Sequence, residues 1–502
     1  MSKRNFAVSI MGRIVTMMTS FLSRTVFVRS LGAEYLGLGG FFGNIFSVIS
    51  LCELGLGAAI AQSLYKPLAD EDEYKVAAIM SFYGRVCKIV ASVSLLLSLF
   101  ALFVVPSLVK TQLNANVIIP AYLLFVIHIT VSYILTPKCT LVVCDQRMYV
   151  VTAIRSAFSV LALFLQCAVL VLTQNYLFYL ATRILVLTLE DILINRYADK
   201  KYPCLSLRIP VSKEYKQGLF SNVKAIMWHK IGGVLSRSTD SILLTYFVGL
   251  AGMGKYSNYA LIIGTVGAFF DVAVNAVSAS VGNLGAENRG AKSELVMRKL
   301  YFMNFWLLTV GSSVIVSTLN PFIGLWLGEE MLFSNVEMMV IVTSFYFSCI
   351  RDPVQIFVSS FGLFKESRYI PVLRALFNLV LSLLFVNVMG VSGVFLGTAM
   401  STVLVPLCGE VAVLYKHGFS MKASNFYREM FGYIAVSALS ACVCFAMTYG
   451  IADTVGGLIA RAVSSFCISN VLLLVMSSGK PYFSEMKNLV YHILTKRRSL
   501  KF

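Results

Sequence analysis

Apolar residues run along this chain in long blocks separated by short polar breaks, with neither the period-two alternation of a half-buried strand nor the narrow stripe of a soluble helix. A membrane-crossing helix needs about 20 mostly apolar residues. Fourteen stretches meet that requirement, at 7–29, 39–63, 77–107, 117–137, 149–173, 175–195, 219–247, 256–283, 300–318, 338–360, 369–388, 391–415, 430–450 and 456–477. They predict an all-α, multi-pass membrane protein with 14 transmembrane helices. The first stretch follows Lys3 and Arg4, is interrupted by Arg13 and Arg24, and has no small-residue cleavage site. It therefore predicts a retained span and not a removed signal peptide.

The order of motifs along the chain predicts an internal repeat. Leu31-Gly32-Ala33-Glu34-Tyr35-Leu36-Gly37 aligns with Val248-Gly249-Leu250-Ala251-Gly252-Met253-Gly254 at an offset of 217 residues, which also pairs Asp70 with Glu287, Lys75 with Lys292 and Met80 with Met297. Small gaps add Pro137 with Pro353, Tyr149 with Tyr369 and Arg155 with Arg374. The expected organisation is an N-terminal lobe of six helices at 1–197, a cytoplasmic linker at 198–218, a second six-helix lobe at 219–417, and two further helices with a basic tail at 418–502. An even number of helices per lobe makes the repeats parallel, the plan of an alternating-access carrier with a central cleft.

Composition agrees, since only 13% of the 502 residues are charged, 58% are hydrophobic and the mean hydropathy is +0.79. Soluble domains carry about 25% charged residues, so a soluble enzyme is excluded. The net charge of +18 would suggest nucleic acid in a polar protein. In a membrane protein its distribution sets the topology, because cytoplasmic loops are rich in Lys and Arg. Placing the N-terminus in the cytoplasm assigns 27 basic residues to inside segments and only Arg29, Lys110 and Lys255 to outside ones. Both termini are therefore expected in the cytoplasm, and no nucleic-acid partner is implied. The cysteines within apolar runs show no C-x-x-C spacing, and His128, His229, His417 and His492 are scattered. No metal site or other cofactor is expected.

Twelve basic residues remain inside the predicted spans, against seven acids. Each charge at the bilayer centre costs about 2.5–3.5 kcal/mol on insertion scales, so these groups must face one another, the bundle interior or water. Residues 11 apart on an α-helix differ by about 20° in azimuth. Arg13 and Arg24 thus share a face of the first span, with Thr16, Ser20 and Ser23 on or beside it. The seventh span repeats the pattern with Lys230, Gly233 and Arg237, and Asp240 lies three residues further on. Arg13, Arg24, Lys230 and Arg237 are the candidate cavity-lining cations, while Glu53, Glu190, Asp240 and Asp271 are candidates for exchanging a coupling ion. Arg155, Arg374 and Lys224 lie near span ends and are expected to reach the interface. Arg351 with Asp352 and Arg237 with Asp240 are possible structural pairs, Gly393 and Gly397 fit close helix packing, and Pro137 and Pro353 are expected kinks. The basic excess implies an anionic passenger, and phosphate suits it because Arg binds phosphate as a bidentate fork. No Walker or dinucleotide glycine motif accompanies these residues.

The stretch Arg29-Ser30-Leu31-Gly32-Ala33-Glu34-Tyr35-Leu36-Gly37-Leu38, then Glu53-Leu54-Gly55-Leu56-Gly57 and the acidic loop from Asp70 to Glu73, resembles the opening of bacterial polysaccharide transporters, the Wzx-type flippases. These belong to the multidrug/oligosaccharidyl-lipid/polysaccharide exporter superfamily, and the likeness extends over the fourteen-helix layout. It implies translocation of undecaprenyl-pyrophosphate-linked oligosaccharide repeat units (O-antigen, capsule or exopolysaccharide) across the bacterial plasma membrane, with polymerase and glycosyltransferase partners. It also implies pyrophosphate contacts at Arg13 and Arg24, and at Lys230 and Arg237. The alternatives are a lipid II flippase, which would carry a basic residue where the eighth span has Asp271, and a multidrug or cation antiporter, which would use acids as its main cavity charges. A membrane glycosyltransferase would need a larger loop with catalytic acids than this chain provides.

Overall fold

A computed structural model of the chain describes residues 2–53, 56–105, 111, 113–207, 209–210, 231–236, 238–275, 281, 290–477 and 483. The helices are α1 (Ser2–Ile49), α2 (Leu56–Ala69), α3 (Glu73–Ala101), α4 (Ala115–Cys144), α5 (Met148–Thr173), α6 (Tyr176–Lys201), α7 (Leu250–Asn275), α8 (Ala291–Leu327), α9 (Asn335–Ile350), α10 (Asp352–Ser360), α11 (Phe364–Ser367), α12 (Ile370–Met389), α13 (Val391–Thr402), α14 (Cys408–Val413), α15 (Ser424–Thr448) and α16 (Val455–Ser477). Residues 231–236 and 238–243 are also helical, and no strand occurs among the described residues. The protein is an all-α polytopic membrane protein. Among the described residues, eight helices or runs of joined helices are long and apolar enough to cross a bilayer. Helix α6 misses that criterion because Arg183, Glu190 and Asp191 share its apolar stretch, which marks it as a helix with polar work inside the membrane.

Three boundaries differ from the sequence expectation. The first two spans have no loop between them: α1 runs on, and Gly32 alone leaves helical geometry (φ 83°, ψ −173°). A 48-residue helix would be about 72 Å long at 1.5 Å per residue, over twice the hydrocarbon thickness of about 30 Å. The break at Gly32 separates two spans, and this backbone conformation strongly favours a residue without Cβ. The stretch 39–63 is not one helix but the end of α1, a 3₁₀ turn at Ser50–Glu53 and then α2. The kink expected at Pro353 is a full break between α9 and α10, with the proline in the first turn of α10, where its missing amide costs nothing. Pro137, by contrast, lies within an uninterrupted α4.

The chain divides into two compact units, Met1–Ser257 and Asn258–Phe502. The first packs α1, α4 and α6 around Phe41, Phe42, Phe46, Tyr122 and Tyr176, with the Phe46 ring stacked on Phe125 at 6.0 Å. Within this unit, positions related by the 217-residue offset come into contact. Gly249, offset partner of Gly32, also has positive φ (93°). Gly37 lies against the carbonyl of Leu250, and its offset partner Gly254 lies against the carbonyl of Ala33, itself the partner of Leu250. The contact is reciprocal, as where two copies of one segment meet about a two-fold axis, and a Cβ at either glycine would overlap a backbone oxygen.

The second unit has its core around Tyr301, Phe302, Phe305, Phe357, Phe426 and Tyr433. Its helices are also joined by buried hydroxyls: Thr309 and Ser437 at 2.6 Å, Tyr346 and Ser437 at 2.8 Å, Ser313 and Ser440 at 3.1 Å. Such bonds are the usual glue between membrane helices, which gain no hydrophobic energy from meeting in lipid. Gly393 and Gly397 do pack closely, against the Phe385 and Ser382 backbone of α12. The rod Val391–Phe419 combines α13 and α14 with two π-helical turns, Val403–Leu407 and Leu414–Phe419. Pro406 sits in the first, where the wider turn tolerates its missing amide.

Candidate functional site: a cationic cavity in the first unit

A cavity of about 450 Å³ opens between α1, α5 and α6. Each helix contributes one stripe at three- and four-residue spacing, the rows a helix presents to one side. From α1 come Thr16, Thr19, Ser20, Ser23, Arg24 and Phe27, and, beyond the Gly32 break, Tyr35, Leu36, Gly39 and Gly40. From α5 come Phe158, Ser159, Ala162, Leu163 and Gln166, and from α6 Tyr176, Tyr179, Leu180, Arg183, Val186, Leu187 and Glu190. Phe125 of α4 and Ser257 of α7 complete the wall.

The hydrogen bonds decide what this lining offers. Thr19 donates to Val15 O at 3.0 Å, Ser20 to Thr16 O at 2.7 Å and Ser159 to Ser156 O at 2.8 Å. Hydroxyls bonded back to their own helix spend their proton there and keep lone pairs for a guest. Donors for an anion must then come from elsewhere. Arg24 Nη1 donates to Ser257 Oγ at 2.7 Å, and Ser257 passes its own proton to Gly254 O at 2.8 Å. The Tyr176 hydroxyl is buried with no partner among the described residues. Glu190, the one acid in the lining among the described residues, is ion-paired with Arg155 Nε at 3.3 Å.

The expected site residues fall in different places. Arg24 lines the cavity with Thr16, Ser20 and Ser23, so the polar stripe of the first span does face a polar space. Arg13, on the same helix, is exposed and outside the lining. Lys230 and Arg237 lie outside the described residues, as does the side chain of Asp271 on α7. Glu53 sits at the end of the 3₁₀ turn, where a methyl on Gly57 would come within 2.8 Å of its Oε1. Asp240 is buried away from the cavity lining. Arg155, expected at the interface, instead bonds Glu190, and Arg351 makes a two-point bridge to Glu410 (Nη2 to Oε1 2.7 Å, Nε to Oε2 3.2 Å). Another cation within a span, Arg461, pairs with Asp453 at 2.7 Å.

Arg183 was not among the candidates, and it lines the cavity. A signal was present: Tyr176, Arg183 and Glu190 are spaced by seven, which keeps them on one face of α6. Arg183 also lines a second cavity of about 310 Å³ with Ser47, Ser50 and His128, and the two cavities share Phe125, Leu180 and Leu187.

No family profile and no curated protein matches the sequence. The fold does match solved structures. The lipid II flippase MurJ in an inward closed conformation is 10% identical, with 94% of this chain and 98% of that chain covered and a TM-score of 0.68. An inward-facing multidrug resistance MATE family transporter of the MOP superfamily is 12% identical, with 80% and 98% covered and a TM-score of 0.61. A MATE transporter from Vibrio cholerae is 18% identical, with 82% and 96% covered and a TM-score of 0.54. The chain shares the fold of these proteins.

Proposed function

We propose that this protein is a flippase that carries undecaprenyl-pyrophosphate-linked oligosaccharide repeat units from the inner to the outer leaflet of the bacterial plasma membrane, for polysaccharide biosynthesis. The observation that carries the reading is the lining of the 450 Å³ cavity: Arg24 and Arg183 face it, and the one acid among its described lining residues is engaged by Arg155. A cationic pocket within the bilayer suits an anionic headgroup, since each charge offsets the desolvation of the other. The row of acceptor oxygens from Thr19, Ser20 and Ser159 suits sugar hydroxyls, which would cost several kcal/mol each to bury unpaired in hydrocarbon. The lipid tail stays in the bilayer while the headgroup crosses through protein.

A drug or cation antiporter on the same fold would need free acids in that space, which makes it the weaker reading. Lipid II as passenger is a narrower form of the same chemistry, and the fold likeness to a lipid II flippase supports a lipid-linked substrate of either kind. By sequence alone, Lys230 and Arg237 are the corresponding candidate cations of the predicted seventh span, Lys230 standing 217 residues after Arg13. Alternating access between the two repeats moves the load. An inside-negative potential favours outward passage of negative charge by about 2.3 kcal/mol per charge per 100 mV, so transport runs downhill even before any proton or sodium exchange at Glu53, Glu190, Asp240 or Asp271. Glycosyltransferases supply the substrate and a polymerase consumes it.

Charge reversal tests the reading. In the native host, Arg24→Glu abolishes surface polysaccharide while membrane levels of the protein, read by immunoblot, stay within about twofold of wild type. Unchanged polysaccharide export in that strain removes Arg24 from the transport path and with it the basis of the assignment.

A further inference from the structure

The second unit has a cavity of its own, of about 660 Å³, that shares no lining residue with those of the first. It lies where the last turns of α8 and α15 meet the first turns of α9 and α16, the end of these helices that the basic residues predict to face outside. Both sides of it are held in place. Asn320 donates to Phe333 O and to Asn335 Oδ1, each at 3.0 Å, and accepts from the Tyr259 hydroxyl at 2.6 Å, which itself accepts from Phe333 N at 2.9 Å. On the other side Arg461, 7% exposed, donates to Asp453 Oδ1 at 2.7 Å and to Ile451 O, tying down the turn between α15 and α16. Walls fixed in advance lower the ordering cost of binding.

Other groups in the lining are left open. Glu329 is exposed, and its carboxylate makes no hydrogen bond or ion pair among the described residues. Tyr449 is 64% exposed, its ring 5.6 Å from that of Phe445 and its hydroxyl unbonded among the described residues. The volume falls within the range of about 300–1,000 Å³ usual for small-molecule sites. Two carboxylates against one guanidinium that Asp453 already engages repel an anion. An organic cation would suit Glu329 and the rings, but Arg461 stands in the same wall. A sugar meets all of these groups, since its ring lays an apolar face on an aromatic side chain and its hydroxyls donate to carboxylates in charge-assisted bonds.

We propose that this cavity is a saccharide-binding site at the outer end of the second unit, where Glu329 and Asp453 accept protons from sugar hydroxyls and Tyr449 stacks on a sugar ring. The inference goes beyond the proposed function, which rests on an anion site in the first unit. A short, uncharged oligosaccharide binds here by its hydroxyls and ring faces, with no phosphoryl group taking part.

The test uses the full-length protein in nanodiscs and, as probe, the phosphate-free oligosaccharides released by mild acid from the surface polysaccharide of the native host. Saturation-transfer NMR titration reads the affinity. Wild type binds the oligosaccharides, and Glu329→Gln weakens binding by about 10- to 100-fold, the range for a hydrogen bond to a charged group. Tyr449→Ala weakens it by about 2- to 10-fold, whereas Tyr449→Phe, which keeps the ring, stays within about twofold. The Glu329 carboxylate and the Tyr449 hydroxyl hold no bond among the described residues, so Glu329→Gln and Tyr449→Phe melt with wild type. Wild-type protein that binds no oligosaccharide, or binding that Glu329→Gln and Tyr449→Ala leave intact, overturns the site. Oligosaccharide binding lost in Arg24→Glu but kept in Glu329→Gln moves the sugar to the first unit and overturns it as well. Tetraphenylphosphonium binding that disappears in Glu329→Gln, with no oligosaccharide bound, replaces the saccharide by an organic cation.

Discussion

At the scale of single residues, the charges inside the bilayer divide into those that hold the fold and those that face open space. Arg351 and Glu410 belong to the first kind, with side chains only 12% and 8% exposed and a two-point bridge between them. Removing one partner strands a buried charge, at a cost of about 3–5 kcal/mol, whereas replacing both with apolar residues of similar volume is commonly neutral. Arg351→Met is therefore expected to lower the thermal stability of the purified protein sharply, and the double variant Arg351→Met/Glu410→Leu to restore most of it. Equal loss in single and double variants would mean that the bridge is not the source of the effect. The sequence placed Arg351 beside Asp352, its neighbour in the chain. The bridge to Glu410 joins positions 59 residues apart, a proximity that no local spacing encodes.

At the scale of elements, glycine shows how two helices come into backbone contact. The crossing of α1 and α7 brings backbone against backbone at Gly37 and Gly254, each on a carbonyl that cannot rotate away. Gly37→Ala is expected to destabilise by about 1–3 kcal/mol through overpacking. Gly84→Ala on α3, where nothing lies within 4 Å of the added methyl, is expected to be neutral or to gain up to about 1 kcal/mol from helix propensity. Thermal unfolding of the two variants side by side checks this, and equal melting temperatures would contradict the close crossing. The aligned glycines were visible in the sequence at their common offset. Their reciprocal seating on Leu250 and Ala33 was not, because an alignment says which residues correspond and nothing of which ones touch.

For the molecule as a whole, the distribution of basic residues makes the strongest statement. With 27 Lys and Arg assigned inside and three outside, both termini are expected in the cytoplasm. A C-terminal fluorescent protein fusion should glow, since it folds in the cytoplasm, and an alkaline phosphatase fused after Lys110 should be active outside it. The opposite pattern would invert the topology. The fold places the same chain among structures of membrane transporters, one of them a lipid II flippase, at identities where only architecture carries over.

Two things were legible in the sequence alone: the all-α membrane class, and the face of the first span that bears Thr16, Ser20, Ser23 and Arg24. Both follow from hydrophobic length, helical periodicity and the cost of buried charge, which are local or additive properties. Tertiary structure alone decided which charges are spent. Arg155 and Glu190 on neighbouring helices neutralise each other, while Arg183 is left facing two cavities. A charge in a membrane is a structural or a functional group according to what stands opposite it, and that neighbour is set by the packing of helices far apart in the chain.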